Sequence, residues 1–566
     1  MIRILRALVG NFVTLLTLPL VLVSRVLQRP KARWLEVWIR PSVHEIEPRR
    51  TLLARLLGDA FHPRGTSLHR LRRLAEHAGR DPRVEGVLFV IPPLAAGWAA
   101  SQGLREIVEA LGKAGKRTVV HLPRGGGHRE LFVASAAERV VVSPRATLFL
   151  PGVGVASLYV KPLLEKLGIE VERFRRSEFK TAYETAEREA MSEPQRAQLG
   201  AIVEAVDREL RAALLRKVGD EARVRALFDE AMVTPERAME LGLVDAKLYE
   251  DELPSYLGLH LPKERTLGGG TYLAYHERKL FRPMRRRPYT AVVEVHGAIV
   301  DQGAPGRDAA AIIGAIRRAS RDRRAAGVVL HVRSPGGSAL ASDLIHREVE
   351  ALARKKPVVA FFDEVAASGG YYVAAPAASI VARPLAITGS IGVVMARPTI
   401  ATLLEKLGVR REAIVAAPHA DLLAPGRPLA DGEREILERE IDSFYRGFVE
   451  IVAAGRNRSP DVIEPLARGR VYVASEAQAV GLVDRLGGFD VALGEVERLV
   501  RERTGKAISL EPLSVPGRPG LPPPPEPSVP RALAALGAPE ALTDLARVAL
   551  AGDRVLYFEP EVPEVR

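Results

Sequence analysis

The chain has 566 residues, with 82 lysines and arginines against 69 aspartates and glutamates, and no cysteine. This length exceeds what one hydrophobic core ordinarily organises, so we expect at least two domains. The absence of cysteine excludes disulfide bonds, thiolate catalysis and cysteine-ligated metal sites. The net charge of +13 is spread along the chain without a zinc-finger or RNA-binding pattern, and we expect no nucleic-acid partner.

The first residues predict a membrane anchor. No charged residue occurs from Ala7 to Ser24, and arginines flank this stretch on both sides. Its 18 residues would rise about 27 Å as an α-helix, just enough to cross the hydrocarbon core of a bilayer. No small-residue cleavage site follows, which favours an uncleaved anchor over a signal peptide that is removed. A helix that lies in the membrane interface is the alternative.

An internal repeat organises the rest of the chain. The string LLEKLG occurs at Leu163–Gly168 and again 240 residues later at Leu403–Gly408. Four further pairs of segments follow in the same order: RVEGVLFV and RAAGVVLHV, KRTVVHL and KKPVVAFF, ERVVVSP and ASIVARP, PERAMELGLVDAKL and SEAQAVGLVDRLGG. Such matches in one order indicate a duplicated domain.

Each copy alternates short apolar runs with helical patterns. In the second copy the apolar run Gly327–Val332 leads to a Pro-Gly-Gly turn, then to a helix-like segment and to the strand-like run Pro357–Phe362. Unbroken apolar strands suit a sheet that is covered on both faces, and their alternation with helices predicts mostly parallel pairing. The predicted fold class is therefore α/β.

Composition places the domain boundaries. The predicted segments are an anchor at 1–30, a first copy at 31–267, a connector at 268–288, a second copy at 289–500 and a tail at 501–566. The connector is rich in glycine, proline and scattered charge. The tail contains the proline-rich stretch Pro516–Pro530, which indicates an extended spacer, and a short helix-like segment after it.

Glycine-containing turns follow three strands of the second copy. They are RSPGGSA (Arg333–Ala339), ASGGYY (Ala367–Tyr372) and TGSIGV (Thr388–Val393). A nucleophilic serine needs a sharp turn that exposes Oγ, with N–H groups nearby for an oxyanion. Ser368, at a strand-to-helix turn, fits the role of nucleophile. The N–H groups of Gly336, Gly337 and Gly369 are the candidate oxyanion donors. Either turn alone is more often an ordinary turn, but the two together favour a catalytic site.

The two copies differ in the groups that this chemistry needs. At the repeat offset, Ser368 corresponds to His128, so the first copy has no serine there. In the other direction, Lys180 corresponds to Ala420, so the lysine occurs in the first copy and not in the second. A lysine base must be neutral, and burial in an apolar cleft favours that form.

Two alternatives to a lysine base remain open on the sequence. Lys180 as a solvated surface lysine is the first. The second is that His419, close to Asp421, serves as the base of Ser368 from within the second copy. Ser390, in TGSIGV, is a candidate to orient the lysine through a hydrogen bond.

The motifs SPGGS, ASGGYY, TGSIGV and GLVDRLGG, duplicated behind an N-terminal apolar stretch, resemble the long form of bacterial signal peptide peptidase A, also called protease IV. The resemblance covers roughly Val84 to Leu493. It implies a tandem duplication of a Clp-protease/crotonase-like domain and a serine peptidase whose Ser–Lys dyad is split between the copies. The matching positions are Ser368 and Lys180. The lysine turn of the family reads aromatic-Lys-Ser/Thr-Ala; FKTAYE fits it, although the residues that follow are more charged than the family pattern.

The resemblance also implies partners and a location. We expect a homotetramer, anchored in the inner (cytoplasmic) membrane and its lipid, with the catalytic body on the extracytoplasmic (periplasmic) side and remnants of cleaved signal peptides as substrates. No zinc, calcium or nucleotide motif occurs, so we expect neither metal nor cofactor. Two other classes remain open: a crotonase-like acyl-CoA enzyme that uses the same glycine-rich turns, and a duplicated scaffold without catalytic activity.

Overall fold

The structure is a computed structural model that describes residues 11–12, 15–18, 32–46, 65–260, 265–278, 287–301 and 308–516. Most of the predicted anchor at 1–30 lies outside the described residues, as do 279–286 of the predicted connector and 517–566 of the predicted tail. Among the described residues, no helix combines the length and the apolar character that a membrane span requires.

The chain divides into two compact units. The first comprises Met1–Val153 together with Ala205–Tyr289, and the second comprises Gly154–Glu204 together with Thr290–Arg566. Residues 154–204, which the sequence places in the first copy, therefore belong to the second unit. Both units combine parallel strands with helices, so the predicted α/β class is confirmed.

Strands and helices alternate along the first part of the chain. The strands before residue 280 are β1 (Trp34–Trp38), β2 (Val43–His44), β3 (Thr66–Ser67), β4 (Gly86–Val90), β5 (Arg117–Leu122), β6 (Arg139–Val142), β7 (Leu148–Phe149), β8 (Glu170–Arg175), β9 (Met232–Val233), β10 (Ala246–Lys247) and β11 (Leu267–Gly268). The helices there are α1 (Leu68–Arg80), α2 (Trp98–Lys113), α3 (His128–Ala134), α4 (Lys161–Leu167), α5 (Glu184–Glu187), α6 (Glu193–Val218), α7 (Glu221–Glu230), α8 (Pro235–Glu240), α9 (Leu253–Tyr256) and α10 (Gly269–Glu277).

The later part of the chain continues the series. Its strands are β12 (Tyr289–His296), β13 (Ala325–Ser334), β14 (Val358–Ala367), β15 (Ser379–Ala382), β16 (Ile387–Gly389), β17 (Val394–Thr399), β18 (Val471–Val473), β19 (Arg485–Leu486) and β20 (Glu511–Ser514). Its helices are α11 (Ala309–Arg321), α12 (Ala339–Ala353), α13 (Gly369–Ala374), α14 (Ala401–Lys406), α15 (Glu433–Gly455), α16 (Pro460–Ile463), α17 (Ala474–Ala479) and α18 (Phe489–Thr504). Short 3-10 turns occupy Glu250–Glu252 and Glu464–Leu466.

A six-stranded sheet forms the core of the first unit, in the order β10-β6-β5-β4-β1-β11. Its pairs β1–β4, β4–β5, β5–β6 and β6–β10 are parallel. Every residue of β4 is buried. The unbroken apolar run in the sequence therefore marks a strand that is covered on both faces, as expected for a parallel sheet.

The second unit is built on a sheet in the order β18-β16-β14-β13-β12-β20, with β15 and β19 continuing from β14. The pairs β13–β14, β14–β15 and β15–β19 are parallel. Parallel strands end at the same edge of a sheet, so the turn after β13 and the turn after β14 lie side by side. The first of these turns carries Gly336 and Gly337, and the second carries Ser368.

A buried histidine makes the first unit sensitive to acid. His121 lies on β5 with its side chain fully buried, and burial lowers its pKa to about 4 from the ordinary 6.5. The unfolded chain therefore binds a proton before the folded chain does, and stability falls as the pH drops from 6.5 towards 4. The repeat places Phe361 at the equivalent position of the second copy.

We therefore expect His121→Phe to reduce this acid sensitivity. Near pH 4.5 the histidine should cost the parent chain about 2–3 kcal/mol relative to neutral pH. Urea unfolding of the parent and the variant at neutral pH and near pH 4.5, followed by circular dichroism, measures the difference. An identical loss of stability in both chains would show that His121 does not titrate on unfolding.

Candidate active site

Ser368 occupies a strained turn between β14 and α13. Its backbone has φ 52° and ψ −120°, a conformation that costs a residue other than glycine about 1–3 kcal/mol. Its N–H donates to the carbonyl oxygen of Gly389 at 2.9 Å, which ties the turn to the end of β16. A serine held in this way on a strand-to-helix turn presents Oγ at the edge of the sheet, as nucleophilic serines do.

Lys180 reaches the same point from another segment of the second unit. Its side chain is 5% exposed, and Nζ donates to Oγ of Ser368 at 3.0 Å. Nζ also donates to Oγ and to the carbonyl oxygen of Ser390, both at 2.9 Å. These three acceptors are neutral, and burial disfavours the charged form of an amine. The surroundings thus favour the neutral form that a general base requires.

Ser390 is a second serine with an unusual backbone. Its φ is 51°, and its N–H donates to the carbonyl oxygen of Arg470 at 2.6 Å. This bond to the residue before β18 fixes the turn after β16. Both oxygens of Ser390 are thereby directed at the amine of Lys180.

The glycine turn after β13 packs directly against Ser368. Gly336 and Gly337 have φ values of 118° and 140°, and a Cβ added at Gly336 would lie 2.7 Å from both Cβ of Ser368 and the amide nitrogen of Gly369. Only glycine permits so close an approach. The N–H of Gly336 donates to Oγ of Ser334 at 3.1 Å, so this amide is directed at that hydroxyl.

Gln198, on α6, supports the lysine turn and was not singled out by sequence analysis. Its side-chain amide donates to the carbonyl oxygen of Phe179 at 3.3 Å and to Oγ1 of Thr181 at 2.6 Å. Its oxygen accepts from the N–H of Val471 at 3.2 Å. One buried glutamine thus links both neighbours of Lys180 to β18.

Gly469 is a further supporting residue that sequence analysis missed. Its φ is 74°, and a Cβ added there would lie 2.6 Å from both the amide nitrogen and Cβ of Lys180. Its N–H donates to the carbonyl oxygen of Ile391 at 2.8 Å. The backbone that carries Lys180 is therefore packed without a gap against a glycine.

An apolar cavity adjoins Ser368 and Lys180. Its walls include Tyr372, Ile387, Val393, Val394, Phe444 and Phe448. The rings of Tyr372 and Phe448 lie 4.8 Å apart between centroids, and the hydroxyl of Tyr372 donates to Asp343 at 2.9 Å. An apolar side chain would enter this cavity at low cost, whereas a charged one would lose its hydration.

The histidine alternative is placed away from the nucleophile. Nδ1 of His419 lies 3.2 Å from Oε1 of Glu433, and Asp421 pairs with Arg411 and Arg427. His419 is not among the residues that line the cavity at Ser368. The basic side chain that contacts Oγ of Ser368 in the structure is Lys180.

The corresponding turns of the first unit are joined to each other. The carboxylate of Glu130 accepts from the N–H of Leu94 at 2.6 Å and from the N–H of Gly127 at 2.8 Å. His128, at the position that corresponds to Ser368, accepts from the N–H of Gly152 at 3.2 Å. The first unit thus uses these turns for internal hydrogen bonds.

Comparison with known proteins identifies relatives. The model of peptidase family S49 matches residues 114–257 and 350–502. The chain is 32% identical over 464 residues to "Serine protease SPPA, chloroplastic" of Arabidopsis thaliana, covering 80% of this chain and 68% of that protein. It is 31% identical over 387 residues to "Protease 4" of Salmonella typhi, covering 66% of this chain and 62% of that protein.

One solved structure, a mutant of ClpP1 from Listeria monocytogenes, matches 35% of this chain and 90% of that chain at 17% identity and a TM-score of 0.24, a level that carries no conclusion about the fold. The family match, in contrast, extends over more than half of the chain, and its two ranges contain Lys180 and Ser368. It confirms the resemblance that the glycine-rich motifs indicated. This chain therefore belongs to peptidase family S49 and is a serine peptidase.

Proposed function

We propose that the chain cleaves peptide bonds with Ser368 as the nucleophile and Lys180 as the general base, and that remnants of cleaved signal peptides are its substrates. The observation that carries the proposal is the 3.0 Å contact between Nζ and Oγ, beside an apolar cavity. In the duplicated, Clp-protease/crotonase-like arrangement that the resemblance implies, each copy supplies one member of this dyad.

The proposed reaction has two halves. Oγ of Ser368 attacks the carbonyl carbon of the scissile bond while Nζ of Lys180 takes the hydroxyl proton. The C–N bond then breaks, and the ammonium group returns the proton to the leaving amine. In the second half, Nζ takes a proton from water, the resulting hydroxide attacks the ester, and Oγ recovers its proton as the acid leaves.

The oxyanion that forms in each half needs hydrogen-bond donors. Gly337 and Gly369 supply the two N–H groups in this proposal, because the N–H of Gly336 already donates to Ser334. Gly336 contributes by its lack of a side chain, which lets the turn approach Ser368. A pair of fixed amides stabilises the developing charge without reorganisation during the reaction.

Ser390 has the role of orienting the base. Its two oxygens hold Nζ at 2.9 Å, so the amine keeps its position beside Oγ of Ser368 when the proton moves. The strained backbone of Ser390 supports this role, since such conformations persist where the surrounding structure fixes them.

The proposed location follows from the uncharged stretch Ala7–Ser24 and from the resemblance. The chain is tethered to the inner membrane, its catalytic body lies on the periplasmic side, and it works as a homotetramer. A tethered peptidase meets apolar peptides that remain in the bilayer. The apolar cavity at Ser368 suits the side chains of such peptides.

We expect the purified full chain in detergent to prefer apolar peptides. An alanine- and leucine-rich peptide with the composition of a signal peptide should be cleaved with a kcat/KM about 10-fold or more above that of an equally long peptide with alternating lysine and aspartate, since a charged side chain loses hydration in the cavity. Mass spectrometry of the products gives both rates. Equal rates would contradict the proposed substrate class.

A variant of the cavity wall makes this test specific. Phe444→Lys should lower kcat/KM for the apolar peptide about 10- to 100-fold, whereas Phe444→Leu should stay within a few-fold of the parent. Both variants should retain labelling of Ser368 by a small fluorophosphonate, which reports an intact dyad. Loss of labelling together with loss of cleavage would instead locate the defect at the dyad.

A further inference from the structure

Strands β8 and β17 form an antiparallel pair in the second unit. In sequence terms β8 belongs to the first copy of the repeat and β17 to the second. The register places Phe174 opposite Met395 and Arg173 opposite Ala396. This pair shows how a strand of one copy binds a strand of the other.

Each strand has a counterpart 240 residues away. The counterpart of β17 is the segment 154–159, GVASLY, and the counterpart of β8 is the segment 410–415, RREAIV. Both segments lie in the second unit. In the part of the chain that the structure describes, neither segment belongs to a strand, and their backbone groups make no main-chain hydrogen bond.

The side chains show the same contrast between the paired strands and their counterparts. Phe174 on β8 is 2% exposed, whereas its counterpart Ile414 is fully exposed at 106%. Pro398 on β17 is buried, whereas its counterpart Leu158 is 86% exposed. Apolar side chains at the same repeat positions are thus covered in one pair and uncovered in the other, which marks an interaction surface.

The helices that adjoin these strands repeat the contrast. At the end of α4, the carbonyl oxygen of Gly168 accepts from the N–H of Leu403 at 2.9 Å, and an added Cβ at Gly168 would lie 2.7 Å from that nitrogen. Among the described residues, no heavy atom lies within 4 Å of the same position at the counterpart Gly408. Leu163, the counterpart of Leu403, is 49% exposed.

We propose that residues 407–415 of one chain bind residues 154–163 of a second copy, and that this contact repeats between chains the pairing of β8 with β17. The repeat offset places Ala156 of one chain opposite Ala413 of the other. The two surfaces differ, so chains associate head to tail, and such contacts close into a ring or continue as a filament.

A second copy is the occupant that fits both surfaces. The pair β8–β17 uses one strand of each kind, and each chain then presents one further strand of each kind. A neighbouring chain supplies the complement of both, with the apolar side chains in matching positions. Association also covers the backbone groups of two exposed segments that would otherwise act as strand edges.

Cysteine cross-linking tests the proposed register, and the chain is well suited to it because it has no cysteine. Residues directly opposite each other in an antiparallel pair have Cα atoms about 4.5–5.5 Å apart, within the range that a disulfide spans. Full-length Ala156→Cys and Ala413→Cys chains, mixed and oxidised, should give a covalent dimer. Each variant alone should give none. A chain with both substitutions should give a ladder of dimers and larger species.

Two controls make the result specific. Moving one cysteine by a residue, in Ala156→Cys mixed with Glu412→Cys, should cross-link about 10-fold less, because neighbouring residues point to opposite faces. Ile414→Asp should weaken association at least about 10-fold in light scattering, whereas Val462→Asp, a substitution of another exposed apolar residue, should leave it unchanged. These readouts do not depend on peptidase activity.

Three results would overturn the proposal. The first is a monomer at tens of micromolar with no cross-link in the mixture. The second is a cross-link within one chain in the double variant. The third is a stable assembly that Ile414→Asp leaves intact while the mixed cysteine variants remain unlinked, which would place the interface elsewhere.

Discussion

Ser368→Ala is expected to lower kcat/KM for the apolar peptide by about 10⁴- to 10⁶-fold, because it removes the atom that forms the acyl-enzyme. The fold should be retained: alanine takes up the strained backbone at φ 52° no less readily than serine does, and the N–H bond to Gly389 stays in place. Thermal unfolding should therefore move by a few degrees at most.

A matched substitution separates chemistry from folding. Ser379→Ala removes a buried hydroxyl from β15, away from the cavity, and should leave kcat/KM within a few-fold of the parent. Peptide cleavage by Ser368→Ala within about 10-fold of the parent rate would show that another residue attacks the substrate.

Lys180→Met is expected to lower kcat/KM by about 10³- to 10⁴-fold at neutral to mildly alkaline pH, since the serine would lose its proton acceptor. Methionine fills most of the volume of the lysine chain, so the packing against Gly469 is kept. The informative comparison is Lys180→Arg. A guanidinium group keeps the positive charge but does not release its proton in proteins, so arginine should not restore activity.

The pH dependence carries the same signature. The amine must be neutral to accept a proton, so kcat/KM of the parent should rise with pH until the amine is deprotonated and should then level off. Lys180→Met should lack this rise. Substantial activity in Lys180→Arg, or the same acid limb in Lys180→Met, would assign the base elsewhere.

Local motifs and the repeat made much of the site predictable. The turns around Ser368 and Gly336 are recognisable because glycine pairs after apolar strands are uncommon outside close backbone approaches. The offset of 240 residues then directed attention to Lys180, which has no counterpart in the second copy. These signals are visible in the sequence because each depends on residue type at one position.

Other features depend on contacts that no local pattern reports. Gln198 bonds to Val471 across 273 residues of sequence, and a glutamine on a helix surface has no distinguishing spacing. Phe444 and Phe448 lie four residues apart on α15, which in the sequence is typical of a core-facing helix and not of a cavity wall. The inclusion of 154–204 in the second unit accompanies the pairing of β8 with β17, a long-range contact.

The pairing of Ser368 with Lys180 can be examined in one measurement, the labelling of the full chain in detergent by a fluorophosphonate, with the labelled peptide identified by mass spectrometry. A reactive serine and a neutral base should give one label, on Ser368, which is lost or slowed at least about 10³-fold in Lys180→Met. A label on another residue, labelling of Lys180→Met at the parent rate, or no label in folded protein would contradict the dyad.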